Sequence, residues 1–156
     1  MDQALKDYRV QEKSFQNILV AIDIDDFTSS DHAFNCACTM ALNTNAQLGV
    51  VTVLETKDVN VFDSMSPDKM NDKRLEVSHD LLTYVQKAKD FGVENVHPIL
   101  AEGNPDKVIL DDVVRDFQPD LIIVGSEAKK LLGKTVGREA EEIVEHSAVS
   151  VLVVRD

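Results

Sequence analysis

An open parallel α/β sheet is the fold class this sequence predicts, on three observations. Five apolar runs of strand length punctuate the chain, at 17–23, 47–55, 95–100, 121–124 and 149–154. They are rich in Val, Ile and Leu, and a continuous apolar run suits a strand covered on both faces. Between them lie longer segments with apolar residues at helical spacing, so strands and helices alternate along the chain.

Residues 1–16 show little periodicity and read as a frayed arm or a short extra helix. The run 17–23 (NILVAID) is the first strand, and Ser29, Ser30 or Asp31 is placed to cap the helix that follows. That helix runs to about Thr44, with Ala33, Phe34, Ala37, Met40 and Ala41 as its inner stripe. The second strand is 47–55. After a polar stretch, 56–72, Pro67 is a helix-start residue. The second helix continues to Phe91, carrying Leu75, Leu82, Val85 and Ala88, and Gly92 is suited to end it. Pro98 removes a ladder donor from the third strand and so assigns that strand to a sheet edge. Asn104-Pro105 predicts a capped helix start, and Pro119 closes that helix. The fourth strand, a glycine-bearing loop, a helix from about Arg138 to His146 and the fifth strand complete the pattern. No linker or repeat divides it, so the prediction is an N-terminal arm, 1–16, and one domain, 17–156. The last strand has no helix beyond it to cover its edge. Pairing with a second copy through Val149 to Val154 would protect it, which predicts a homodimer.

Composition narrows the function. The net charge is −12, which argues against a nucleic-acid binder with a basic face. No apolar run approaches the roughly 20 residues of a membrane span. The polar N-terminus does not resemble a signal peptide, and a cytosolic protein is expected. Cys36 and Cys38 point about 200° apart if helical and are expected to be free thiols. His32, His79, His97 and His146 show no metal spacing in the sequence.

Against this acidity, four of the 16 basic residues fall within 128–138: Lys129, Lys130, Lys134 and Arg138, with no acid among them. A strand, a basic loop with glycine and a helix start together make a phosphate-holding arrangement, because free amides and the helix dipole favour an anion. A loop whose lysines only keep it soluble gives the same pattern. Gly133-Lys134-Thr135 imitates a Walker A ending, but Ala128 stands where that motif needs glycine, and Gly137 falls where its helix should run. Asp23, Asp25 and Asp26 form an acidic turn suited to weak Mg²⁺ binding. The other acceptor and lysine positions of a response-regulator receiver are missing. A flavin-phosphate loop would need glycine and hydroxyls in that turn. Gly125-Ser126 lacks the G-x-S-x-G of a nucleophile elbow.

NILVAID at 17–23, EGNP at 102–105, DLIIVGS at 120–126 and GREAEEIVEHSAVSVLVV at 137–154 resemble the universal stress protein family. The resemblance spans nearly the whole chain. It implies strand order 3-2-1-4-5, a Rossmann-like sheet, dimerisation through the fifth strand and a role in stress response. Many members bind ATP through G-x2-G-x9-G-[S/T]. Here the resemblance places Gly125 first, Ala128 at the second glycine, Gly137 one residue early, and Arg138 at the hydroxyl position. It further implies contacts to the adenine or ribose from Asp23 and apolar contacts from Ala21, Val53 and Val124. The amides of Gly137, Arg138 and Glu139 are expected to face the phosphates, with Arg138 replacing the lost hydroxyl. The implied function is a dimeric stress-response module that takes ATP or another adenine nucleotide, with or without Mg²⁺, as a regulatory ligand. A nucleotide-free interaction protein of the same family and a slow Mg²⁺-dependent ATPase are the alternatives. No catalytic constellation is visible, so the expectation is against an enzyme.

Overall fold

The computed structural model describes residues 2–24, 27–55, 67–126 and 137–155. Its ten elements are α1 (Gln3–Asp7), β1 (Asn17–Ala21), α2 (Phe27–Thr44), β2 (Gln47–Glu55), α3 (Pro67–Phe91), β3 (Val96–Gly103), a composite α4, β4 (Leu121–Gly125), α5 (Arg138–His146) and β5 (Ser150–Val154). The composite α4 joins Pro105–Val108, a π-helical turn at Ile109–Val113, and Val114–Phe117. One parallel sheet results, in the order β3-β2-β1-β4-β5.

Two cores explain why β1, β2 and β4 lack alternation. Ile18, Val20, Leu48, Val50 and Ile123 pack against α2 and α3. Leu19, Val51, Ile122 and Val124 pack against α4 and α5 on the other face. Ile18, Leu19, Leu48, Ile122 and Ile123 keep no solvent contact. Burying each such side chain contributes about 1.5–3 kcal/mol.

At the amino end of the sheet, Asp120 clamps the entry to β1. Its carboxylate accepts from the amides of Gln16 at 2.8 Å and Asn17 at 2.9 Å. The Asn17 side-chain amide donates in turn to the carbonyls of Phe117 and Gln118. Gln118 adopts a left-handed conformation, φ 53°, and ends α4 just before Pro119.

Several boundaries depart from the sequence reading. The third strand extends to Gly103, and Pro98 does lie on an edge strand. Asn104 precedes its helix without a side-chain cap hydrogen bond. Leu75 and Leu82 were expected on the inner face of α3, but they are 69% and 55% exposed. The buried stripe is Val77, Leu81, Tyr84, Val85 and Ala88. Leu75 lies two residues before Val77, close to the opposite side of the helix. Helix α2 begins before Ser30, whose hydroxyl turns inward instead of capping. Cys38 is buried and Cys36 half-buried, and both are free. Burial pushes the Cys38 thiol up to about 11, so it stays neutral at physiological pH.

Gly49 in β2 marks the tightest packing. A Cβ there would stand 2.8–3.0 Å from the ring tip of Phe117, which also meets the ring of His97 edge-on. Gly49→Ala is expected to lower stability by roughly 1–3 kcal/mol. Denaturant melts in the Phe117→Leu background should show a smaller loss, because that ring tip is then gone. Equal losses in both backgrounds would refute the packing account.

Candidate functional site

The central strands carry the chain out of the sheet in opposite directions. From β1 it turns to α2 on one face, and from β4 it returns as α5 on the other. A crevice opens at the carboxyl ends of two adjacent strands whose connections diverge in this way. Here the crevice has a volume of about 270 Å³.

Of the nine residues expected from the sequence, six line it: Ala21, Asp23, Val53, Val124, Gly125 and Glu139. Asp23 extends β1 into the cleft. Its amide donates to the Ser30 hydroxyl at 2.6 Å, and that hydroxyl donates back to the Asp23 carbonyl at 3.2 Å. The first turn of α2 therefore holds the acid where it stands. Just before it, the Ile22 amide reaches the Val51 carbonyl at 2.9 Å and lengthens the β1–β2 ladder.

The other wall is the amino end of α5. Gly137 is its N-cap residue, without a side-chain cap hydrogen bond, and Glu139 and Ala140 line the cleft. The Gly137 amide had been expected to face a phosphate. Instead it donates to the Ser126 carbonyl at 2.6 Å, while the Ser126 amide reaches the Val154 carbonyl at 3.0 Å. Gly137 thus closes a loop rather than offering a donor. Arg138 is exposed and is not among the residues lining the cleft. Ala128, Lys129, Lys130, Lys134, Asp25 and Asp26 lie outside the described residues.

Sequence reasoning missed Ser30, Glu55, Pro105, Ile109 and Ile143, which also line the cleft. Glu55 was findable, since it closes β2 one strand away from Asp23. Ile109 and Ile143 were not, because an apolar residue in a helix gives no sign of which cavity it borders. The described lining therefore combines an apolar floor with three carboxylates, Asp23, Glu55 and Glu139, and contains no lysine or arginine. Glu142, Glu145 and His146 do come within metal-ligand reach of one another on α5, which the sequence reading had not found. They stand on its outer surface, where His146 Nε2 lies 3.2 Å from Glu142.

Fold and cleft together define an open parallel α/β protein with a crevice at the switch between β1 and β4. A model of the universal stress protein family matches residues 14–155, and the chain belongs to that family. A relative from Staphylococcus epidermidis, named for the same family, is 33% identical over 144 residues, covering 91% of this chain and 85% of the relative. One from Staphylococcus saprophyticus is 32% identical over the same length, covering 91% and 84%. Among solved structures, the universal stress protein UspA from Lactobacillus plantarum matches with a TM-score of 0.76 at 21% identity, covering 92% of this chain and all of that one. An Arabidopsis thaliana family protein with AMP bound matches at 0.61 and 22% identity, covering 90% of each chain. An Archaeoglobus fulgidus universal stress protein in complex with dAMP matches at 0.63 and 17%, covering 90% of this chain and 98% of that one. At these identities the solved structures establish the shared fold.

Ser30→Ala removes both bonds that hold the Asp23 turn. It is expected to cost about 1–3 kcal/mol, since the Asp23 amide loses its acceptor at a buried hydroxyl. Chemical denaturation measures this, and an unchanged midpoint would show that the turn stands without Ser30.

Proposed function

We propose that the chain binds an adenine nucleotide, with ATP as the working ligand, in the cleft between β1 and β4. The observation that carries this reading is the convergence of Asp23, the apolar wall Ala21, Val53 and Val124, and the amino end of α5 on one crevice. A nucleoside offers amine and hydroxyl donors, and carboxylates are acceptors only. Its flat base suits an apolar slot. The cleft is near the lower end of the roughly 300–1,000 Å³ of small-molecule pockets, so a base and ribose fill it. The phosphates then extend past Gly125 toward residues 127–136, which contain Lys129, Lys130 and Lys134, with Mg²⁺ carried by the phosphates. Nucleotides bound to the A. fulgidus and A. thaliana proteins support this choice of ligand. In this reading the ligand is regulatory, acting in the cytosol during stress response, and Arg138 sits at the phosphate end.

One observation favours the nucleotide-free alternative. The Gly137 amide is already bonded, and three carboxylates line the cleft. Denaturing the purified protein and chromatographing the supernatant separates the two readings. Released ATP or ADP, or a rise in melting temperature with MgATP, is expected. Ligand at 100 times its Kd adds about 2.7 kcal/mol, roughly 5–10 °C for a domain this size. Asp23→Ala should weaken affinity about tenfold, the loss of one hydrogen bond to a charged group. No released nucleotide and no thermal shift would select the nucleotide-free form.

The free edge of β5 supports the homodimer. Its residues Val151, Leu152, Val153 and Val154 are only half buried, and among the described residues no strand pairs beyond them. Sedimentation velocity at micromolar concentration should give a dimer. A monomer there would remove the edge-pairing argument.

A further inference from the structure

A second opening lies on the opposite face of the sheet, between α2 and α3. At about 580 Å³ it is larger than the cleft described above. Its body is aromatic and apolar. Phe34 and Tyr84 meet edge to face, with centroids 5.0 Å apart; Ile24, Cys38 and Phe91 add apolar surface, and Asn35, Thr39 and Thr83 add polar groups. Asp31 from α2 and Asp80 from α3 stand on its two sides, with Lys87 at the rim. Neither aspartate forms an ion pair with a described cation.

Tyr84 is the unusual member. It is 9% exposed, and its hydroxyl oxygen is sealed from solvent without a hydrogen-bond partner. Native proteins seldom leave a buried hydroxyl in that state, and each case calls for a reason. The phenol is pushed up, first by burial and then by the charges of Asp31, Asp80 and Asp23. The field at this oxygen is therefore negative. An anion is repelled there, while a cation with N–H donors suits both the field and the aromatic rings.

We propose that this pocket is a ligand site for a small organic cation. A hydrophobic ring fills the space beside Phe34 and Phe91, and an ammonium group lies between Asp31 and Asp80. The Tyr84 ring forms part of the wall against which that hydrophobic ring packs. The site is independent of the nucleotide reading. It shares only helix α2, whose Ser30 lines one opening and Asp31 the other.

The chain has two tyrosines and no tryptophan, and Tyr8 stands exposed in the N-terminal arm. Tyr8→Phe therefore leaves Tyr84 as the sole fluorophore. Three ultraviolet-transparent probes of one shape differ only in charge: 2-cyclohexylethylamine, 2-cyclohexylethanol and 3-cyclohexylpropanoate. The amine is expected to change the tyrosine emission saturably at about 1 mM or below, with the alcohol weaker and the acid without effect. Asp80→Asn, and separately Asp31→Asn, should weaken the amine roughly three- to tenfold, as loss of one charged contact does. The acid binding as well as the amine, or no saturation by the amine, would overturn the proposal. So would unchanged affinity in both Asn variants. A signal lost in Asp23→Ala but kept in Asp80→Asn would move the amine to the other cleft and overturn it equally.

Discussion

The pairing of β1 with β4 is the contact on which the site depends. Ile18, Leu19 and Val20 lie in register with Leu121, Ile122 and Ile123, although about a hundred residues separate them in the chain. Every one of these six side chains is buried, four toward the α2–α3 layer and two toward the α4–α5 layer. A slip of one residue would turn each to the opposite layer. Because the connections after the two strands diverge, the sheet leaves an unfilled space at their carboxyl ends. Asp23 and Gly125 enter that space as the next residues of strands whose register is fixed from below.

Loop closure adds the second wall. The Ser126 amide continues the β4–β5 ladder and its carbonyl accepts from Gly137, so one residue joins the sheet to the start of α5. The two ends of segment 127–136 are thereby held at a single point beside the cleft. Because Ser126 and Gly137 are bonded to each other, the number of residues between them can change without moving β4 or α5, so a shortened glycine signature is compatible with an intact fold.

The strands β1, β2 and β4 were legible because burial on both faces demands continuous Val, Ile and Leu. Pro98 was legible as an edge residue because a missing amide has one consequence in a ladder. Helix faces were less so. On α3, the row containing Leu75 and Leu82 competed in sequence with the row containing Val77 and Leu81, and only packing against β2 and β3 decided between them. Ser30 read as one of three cap candidates, and nothing in the sequence marked its hydroxyl as turning inward. Asp23 and Val124 were placed in the cleft by the family resemblance, and both stand at the carboxyl ends of strands, where the crevice opens. Glu139 could be placed there because it opens a helix. Ile143 and Ile109, which approach the cleft sideways from helices, carried no such mark. The fate of the Gly137 amide was hidden for a related reason. A glycine before a helix announces flexibility and a nearby amide, while its acceptor depends on where β4 ends in space.

The charge distribution of the cleft constrains any phosphorylated ligand. Two unit charges 10 Å apart interact by about 1.7 kcal/mol at an effective dielectric constant near 20. Asp23, Glu55 and Glu139 together would therefore oppose a di- or triphosphate by several kcal/mol if it lay among them. A nucleoside half meets no such opposition, since carboxylates accept from its hydroxyl and amine groups. A nucleotide thus has one favourable orientation: base and ribose against Ala21, Val53 and Val124, and phosphates directed away from Asp23. Lys129, Lys130 and Lys134 follow Gly125 in the sequence of a protein of net charge −12. The same acids that are unsuited to a phosphate would then set the nucleotide's polarity, because reversing it places each phosphate charge beside a carboxylate.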